Sequence, residues 1–303
     1  MKSLFVDCNQ QLGPVFARVH GEGDPAVTIN TAPFASADLP ALLAGYQICI
    51  DDHSYMPTEI IRQCPDLRHI VFLGVGAGSY MDVAALAGLG VTVHTIKGYG
   101  DRAVAEHTLA LIFAAARDVA RMDRTIRGGI WQPLGGIELL GKTLGIVGLG
   151  GIGLEVARMA QALGMKCIAW NRSPVADAPV PTASLDEVLA AADILSLHLA
   201  LNDETRGLID ARRLAHMKPG AMLVNTARGA LVDEAALIAA LESGRLRHAG
   251  LDVFAAEPLA ADHPLARLPN VTLTAHAGFR TPEASETLLR RAIGIVRGIV
   301  EAG

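Results

Sequence analysis

Aromatic side chains are scarce in this chain: Phe, Trp and Tyr make up 4% of 303 residues. The interior must therefore be filled by aliphatic side chains. Hydrophobic residues reach 51%, and 31 glycines stand beside them, a composition that suits closely packed α/β layers. Long apolar runs are absent too; the longest, at 108–116, falls far short of the ~20 residues that cross a bilayer. There is no basic excess, since the formal net charge is −5, which excludes nucleic acid and anionic membrane surfaces as expected partners. The four cysteines (Cys8, Cys49, Cys64, Cys167) show neither C-x-x-C nor zinc spacing. No metal is expected from them, and reduced core thiols in a cytoplasmic protein are the default. The first ten residues carry one Lys and a very short apolar run cut by Asp7, the pattern of a first β-strand and not of a signal peptide.

A chain of this length is about two domains long. Apolar runs at 3–7, 26–29, 48–50, 70–72 and 91–94 alternate with helix-like segments at 39–44, 57–63 and 82–88. Such alternation predicts a mostly parallel sheet with helices on its faces. A second series starts near Thr143, with strand-like runs at 143–147, 167–170, 194–199, 222–225, 248–251 and 271–273. Between the two lies a helix pattern over 103–127, apolar round much of its circumference at 104–119, and a last helix pattern covers 282–301. Two doubly wound α/β domains follow from this.

The run at 143–147 leads straight into Gly148-Leu-Gly-Gly-Ile-Gly153, then a helix pattern, then the run ending at Trp170. A lone G-x-G-x-x-G means little, but in this strand–turn–helix–strand setting it is a dinucleotide fingerprint. Gly148 permits the tight turn, Gly150 the approach of a pyrophosphate, and Gly153 close packing of helix on strand. The free amides of Gly151 and Ile152 then face the phosphates at the helix start. A second glycine cluster, Gly74-Val-Gly-Ala-Gly78, lacks that spacing. Its amides at a strand end suit the carboxylate of a small substrate, at Gly76, Ala77 and Gly78, about as well as they suit a purely structural turn.

Three polar residues follow apolar strands behind the fingerprint: Arg228, Glu257 and His276. The carboxyl ends of parallel strands are where a doubly wound fold assembles its site. Hydride reduction of a 2-oxo acid needs a cation for the carboxylate and carbonyl, an acid for the nascent alkoxide, and a carboxylate to orient that acid. Arg, His and Glu are the residue types for those tasks, and an adjacent Glu favours the protonated imidazole. Singly, each is an ordinary surface or ion-pair residue; together, behind a dinucleotide fingerprint, they point to chemistry.

Asn225-Thr-Ala-Arg-Gly-Ala-Leu-Val-Asp-Glu234, Gly250-Leu-Asp-Val-Phe254 with Glu257-Pro258, and Thr274-Ala-His-Ala-Gly278 follow the fingerprint in order. Ala103-Val-Ala-Glu-His-Thr-Leu-Ala-Leu111 and Leu197-His-Leu-Ala-Leu201 with Glu204-Thr205 accompany them. From about Ile70 to Pro282 the chain resembles the D-2-hydroxyacid dehydrogenase family. The resemblance implies Arg228 as substrate-binding and activating, Glu257 as partner of the catalytic histidine, and His276 as proton donor or acceptor. It implies that Asp252 with the Thr226, Ala227 and Arg228 backbone holds the nicotinamide, that Leu199, Thr205 and Gly278 line the cofactor, and that Gly76–Gly78 amides bind the substrate carboxylate. It further implies a nucleotide domain (98–281) inserted in a flavodoxin-like substrate domain (1–97 and 282–303), with hinges near 95–100 and 278–282, and a homodimer built through the apolar helix at 104–119.

Two departures stand out. Many members have Pro before the catalytic histidine, where this chain has Ala275; many end the second nucleotide-domain strand with Asp, where it has Asn171-Arg172-Ser173. Asp there binds the ribose 2′-hydroxyl and repels a 2′-phosphate, whereas Asn171, Arg172 and Ser173 offer donors and a positive charge. NADP(H) is therefore the expected cofactor, with NAD(H) usable. The expected reaction is reduction of a glyoxylate- or hydroxypyruvate-type acid. An NAD-dependent dehydrogenase of a bulkier 2-hydroxy acid and a dinucleotide-sensing regulator without turnover are the alternatives.

Overall fold

The computed structural model describes residues 1–302, which divide into two compact units: Met1–Gly100 with the chain from Arg280 onward, and Asp101–Phe279. The first unit alternates β1 (Ser3–Phe5), α1 (Leu12–Val19), β2 (Val27–Ile29), α2 (Leu39–Leu42), β3 (Ile48–Asp51), α3 (Thr58–Ile61), β4 (His69–Phe72), α4 (Val83–Gly88) and β5 (Thr92–Thr95). All its strand pairs are parallel, in the order β2-β1-β3-β4-β5. Every residue of β3 is buried, as a parallel strand covered on both faces requires. One face packs Leu4, Leu39, Leu43, Ile61, Ile70 and Leu86. The other packs Phe5, Phe16 and Ile50 against Leu288, Leu289 and Ile293 of the C-terminal helix Pro282–Ala302. Gly76–Gly78 lie just beyond β4, where Ala77–Ser79 form a single 3-10 turn.

The second unit opens with α5 (Asp101–Ala116) and α6 (Val119–Arg127). It continues with β6 (Thr143–Val147), α7 (Gly151–Ala162), β7 (Lys166–Trp170), α8 (Leu185–Ala191), β8 (Ile194–Leu197), α9 (Ala211–His216), β9 (Ala221–Asn225), α10 (Glu234–Glu242), β10 (Leu246–Leu251), α11 (Pro264–Arg267) and β11 (Val271–Leu273), so that Pro282–Ala302 is α12. Its six strands run parallel in the order β11-β10-β9-β8-β6-β7. The chain goes from β6 outward to β7 and then returns to the other side of β6 as β8. That reversal opens a crevice at the carboxyl ends of β6 and β8, the place where such sheets bind ligands. Local sequence supports the helices: Ser184 and Glu187 form a reciprocal capping box on α8, while Asp210 and Asp233 cap α9 and α10.

The pattern over 103–127 predicts one long helix, but the chain breaks between α5 and α6. Asp118 adopts a left-handed conformation, φ 50°, which Asp tolerates better than bulkier residues. Its carboxylate faces Arg247 Nη2 at 3.3 Å and His248 Nδ1 at 3.4 Å on β10. The freed end of α5 is met by the Ile137 amide, which donates to the Ala116 carbonyl at 2.9 Å. Contacts far along the chain thus interrupt a locally continuous apolar pattern.

Candidate active site

The glycine fingerprint forms a cradle that is tightly packed at Gly148 and Gly153 and open at Gly150. Gly148 sits at φ 104°, and a Cβ there would stand 2.6 Å from the His198 carbonyl oxygen and 2.9 Å from Leu199 Cδ2. A Cβ on Gly153 would strike the Gly148 carbonyl, so the first turn of α7 lies directly on the end of β6. Gly150, the N-cap of α7, has nothing within 4 Å of its Cβ position. Close packing at Gly148 and Gly153 with open space at Gly150 is what a bound pyrophosphate requires, so the residues fit a dinucleotide.

Further along the same sheet edge, three strand ends are tied into one knot. Asn225, buried at the end of β9, accepts from the Ala227 amide at 3.0 Å and donates to the Arg228 carbonyl at 2.9 Å. It thereby shapes the turn that presents Arg228, whose guanidinium donates to the Ala227 carbonyl at 2.7 Å. Asp252 follows β10 and is 1% exposed. Its carboxylate accepts from Thr274 Oγ1 at 2.6 Å and from the Ala277 and Gly278 amides at 2.9 Å each. Its carbonyl oxygen accepts the His276 amide at 2.8 Å. His107 of α5 lies 2.9 Å from Thr274 Oγ1 and 3.3 Å from Asp252 Oδ1. Because the single hydroxyl proton of Thr274 goes to the carboxylate, His107 Nε2 is the donor to Thr274. Burial alone would push the Asp252 carboxyl up, but these donors outweigh it and hold the group below the ordinary aspartate value.

Glu257 bridges this knot to the imidazole. One carboxylate oxygen accepts from the Phe254 amide at 2.9 Å, and the other accepts from His276 Nδ1 at 2.7 Å. Burial raises the Glu257 carboxyl less than the bonds to His276 and Phe254 and the charges of His276 and Arg228 lower it, so it stays below its usual range. With Nδ1–H given to Glu257, Nε2 is the nitrogen left to exchange a proton, donating it when the ring is the imidazolium and accepting it when the ring is neutral. His276 itself is left-handed, φ 49°, and its ring meets Phe279 edge-on at 6.2 Å. The turns carrying Arg228 and Glu257 also touch backbone to backbone. A Cβ on Gly229 would collide with the Phe254 carbonyl and stand 2.5 Å from the Ala255 amide nitrogen.

The remaining sequence-predicted residues are variously engaged. Thr226 Oγ1 lies 2.9 Å from Thr108 Oγ1 of α5. Thr205 is absorbed in its own turn, accepting from the Asn202 amide at 2.8 Å and donating to the Ala200 carbonyl at 2.8 Å. At the end of β7, Asn171 accepts from the Leu149 amide at 3.0 Å and donates to the Ser173 carbonyl at 2.7 Å. Asn171 is therefore part of the cradle's own architecture, and Arg172 pairs with Glu204 at 2.8 Å. Gly76, Ala77 and Gly78 belong to the first unit and are not among these second-unit contacts. Sequence reasoning gave no role to His107 or Asn225, although both stand inside the motifs it singled out.

A parallel sheet with a glycine cradle at its switch point, and Arg, Glu and His on neighbouring strand ends, defines a dinucleotide-dependent oxidoreductase architecture. Residues 109–278 match the profile of the D-isomer specific 2-hydroxyacid dehydrogenase NAD binding domain, and the chain belongs to that family. It is 42% identical over 255 residues to a glyoxylate reductase of Aeropyrum pernix, covering 80% of this chain and 75% of that protein. It is 43% identical over 234 residues to a D-3-phosphoglycerate dehydrogenase of Mycobacterium leprae, covering 75% of this chain but only 44% of that protein. The chain thus spans under half the length of the mycobacterial relative. The solved structure of the TT0316 protein of Thermus thermophilus is similar over 100% of this chain and 97% of its own, with TM-score 0.89 and 35% identity.

Proposed function

We propose that this protein reduces a small 2-oxo acid of glyoxylate or hydroxypyruvate type to the D-2-hydroxy acid, preferring NADP(H) and accepting NAD(H). The observation that carries the proposal is the His276–Glu257 pair at 2.7 Å, held at the carboxyl edge of the sheet beside Arg228. The cofactor, when bound, supplies the hydride; Gly148, Gly150, Gly151, Ile152 and Gly153 would hold its pyrophosphate. Thr226, Ala227, Asp252 and Gly278 would hold the nicotinamide end, with Leu199 and Thr205 alongside. Arg228 binds the substrate carboxylate and polarises the carbonyl, for which a planar guanidinium is suited. His276 Nε2 gives its proton to the carbonyl oxygen as that oxygen gains negative charge, and takes it back in the reverse direction. Glu257 fixes the ring and offsets the imidazolium charge. The first unit is assigned the substrate, with Gly76, Ala77 and Gly78 amides toward its carboxylate.

The cofactor preference rests on the end of β7. No carboxylate stands at Asn171 to repel a 2′-phosphate, and the Arg172–Glu204 pair is exposed on both sides at 67% and 72%. Such a pair is worth only ~0–1 kcal/mol, so Arg172 is released to a phosphate at little cost. Homodimerisation through the second unit is supported by apolar side chains left in the open: Phe113 and Val119 on α5 and α6, with Ile130, Trp131 and Leu140 beyond them. No helix among the described residues is long and apolar enough to cross a membrane, and the four free thiols suit a reducing cytoplasm.

The test is oxidation of NADPH and NADH by the purified chain with glyoxylate, hydroxypyruvate, bulkier 2-oxo acids and 3-phosphohydroxypyruvate, the last because of the mycobacterial relative. Turnover of the first two with NADPH supports the proposal. Faster use of a bulkier or phosphorylated acid shifts the substrate, and tight cofactor binding without any turnover makes the protein a sensor. A monomer mass by light scattering at micromolar concentration would remove the dimer.

A further inference from the structure

His69 opens β4, and His94 lies in β5, the edge strand of the first sheet. The parallel register pairs His69 with Thr92 and Val71 with His94, so both imidazoles leave the same face of the sheet, offset by two residues. That face is the one covered by α12, since Val71 shares a core with Leu289 and Ile293. Toward the far end of α12 a cleft of about 480 Å³ opens, walled by the two imidazoles with Met1, Ile295 and Ile299. His94 Nε2 lies 3.3 Å from His69 Nδ1, the ring centroids 5.4 Å apart and the planes at 45°. As a hydrogen bond this spacing is slack, beyond the usual range of about 2.7–3.2 Å. Two ligands held at about 2.0–2.1 Å from a tetrahedral ion, by contrast, stand about 3.3–3.4 Å apart. Burial pushes both imidazoles below the ordinary histidine value, and His94 is lowered further by His69, which keeps the pair in the neutral form that a metal needs.

We propose that His69 and His94 are the protein's two ligands to a Zn²⁺ ion, clasping it across β4 and β5 with water in its remaining positions. No third imidazole, thiol or carboxylate joins them to make a larger cluster among the described residues. Imidazole donors suit Zn²⁺ and Cu²⁺, and the want of carboxylates disfavours Mg²⁺ and Ca²⁺. When the ion enters, the ring that donated the hydrogen bond carries its proton on its other nitrogen. The pair stays neutral and both facing nitrogens give lone pairs. The ion ties the edge strand to its neighbour, so it acts on the stability of the first unit and not on hydride transfer.

The experiment titrates tag-free, chelator-treated protein with ZnCl2 and with MgCl2 by calorimetry, for wild type, His69→Gln, His94→Gln and the control His20→Gln. Glutamine keeps a polar side chain in the cleft, and circular dichroism checks that each variant is folded. Wild type and His20→Gln should bind one equivalent of Zn²⁺ and no Mg²⁺. Each of the other two variants should lose that equivalent or bind it at least about tenfold more weakly, since even an outer partner of a metal ligand is worth that much. Zn²⁺ should raise the melting temperature of wild type and not of these two variants. A second measurement needs no substitution: Zn²⁺ should protect His69 and His94 of wild type from diethyl pyrocarbonate, read by peptide mass mapping, and leave His20 reactive. The proposal is overturned if wild type binds no Zn²⁺, if either single variant keeps the equivalent at full affinity, or if Zn²⁺ leaves both histidines as reactive as before.

Discussion

Replacing Asp252 with Asn keeps the side chain's size and removes one acceptor oxygen from the centre of the knot. In the wild type, one oxygen takes Thr274 Oγ1 at 2.6 Å and the Ala277 amide at 2.9 Å, and the other takes the Gly278 amide at 2.9 Å. An Asn can present its carbonyl to one set only; its NH2 then faces a donor. One charge-assisted bond disappears and one buried amide is left unpaired, together costing about 2–4 kcal/mol. For a unit of this size the melting temperature should drop by roughly 5–15 °C. The Asp252 carboxyl is held below its unfolded value, so its contribution is complete above the unfolded aspartate pKa of about 4 and disappears as pH falls through the lower folded value. The difference between wild type and variant should therefore be full at neutral pH and shrink in strong acid. Because the same residue's carbonyl anchors the His276 amide at 2.8 Å, kcat should fall about tenfold or more with the imidazole displaced. Circular dichroism melts from pH 7 downward and single-substrate kinetics measure both effects. A melting temperature within about 2 °C of wild type at neutral pH, with kcat intact, would refute this view of the knot.

His276→Ala should lower the reduction rate by a factor on the order of 100 to 10,000 while leaving cofactor affinity in place; near-normal turnover would sink its role as acid. Glu257→Gln should lower kcat by about tenfold or more while leaving cofactor affinity in place, since the carboxylate that orients the His276 ring at 2.7 Å is lost, and an unchanged kcat would make Glu257 merely structural. Arg172→Ala should cut kcat/KM for NADPH by about tenfold with little change for NADH, and Asn171→Asp should favour NADH; an unchanged cofactor ratio in both refutes the assignment at β7. His198 lies behind Gly148 with its Nδ1 shut off from solvent, and burial pushes it down to about 4, below its unfolded value of about 6.5. It stays neutral in the fold, so the stability it confers is complete above pH ~6.5 and lost as pH falls toward 4. His198→Gln should flatten denaturant midpoints across that window, and an unaltered slope would show that other groups govern it.

Elements whose signal is local were legible in the sequence. β6 and β11 run over 143–147 and 271–273, as their apolar runs predict, because a doubly covered parallel strand is a short continuous apolar stretch. The glycines declared the cradle through their spacing, although only Gly153 answers a near neighbour, the Gly148 carbonyl, while Gly148 is pressed by His198 and Leu199 from the end of β8. Asp118 is the opposite case. No glycine or proline marks the end of α5, and the left-handed turn is held by Arg247 and His248, distant in sequence. Asn171 was legible as a missing carboxylate, but not as a residue whose own hydrogen bonds already tie Leu149 to Ser173.

The contact at Gly229 binds the fates of two turns. With the Phe254 carbonyl pressed against its Cα, no side chain fits there, and the strand end bearing Arg228 cannot shift without carrying along the strand end bearing Glu257. For anyone reshaping the substrate preference, these two segments form one cassette. A library that varies residues 226–230 while freezing 253–258 samples mostly broken combinations, whereas grafting both together from a relative transfers cation and carboxylate in register.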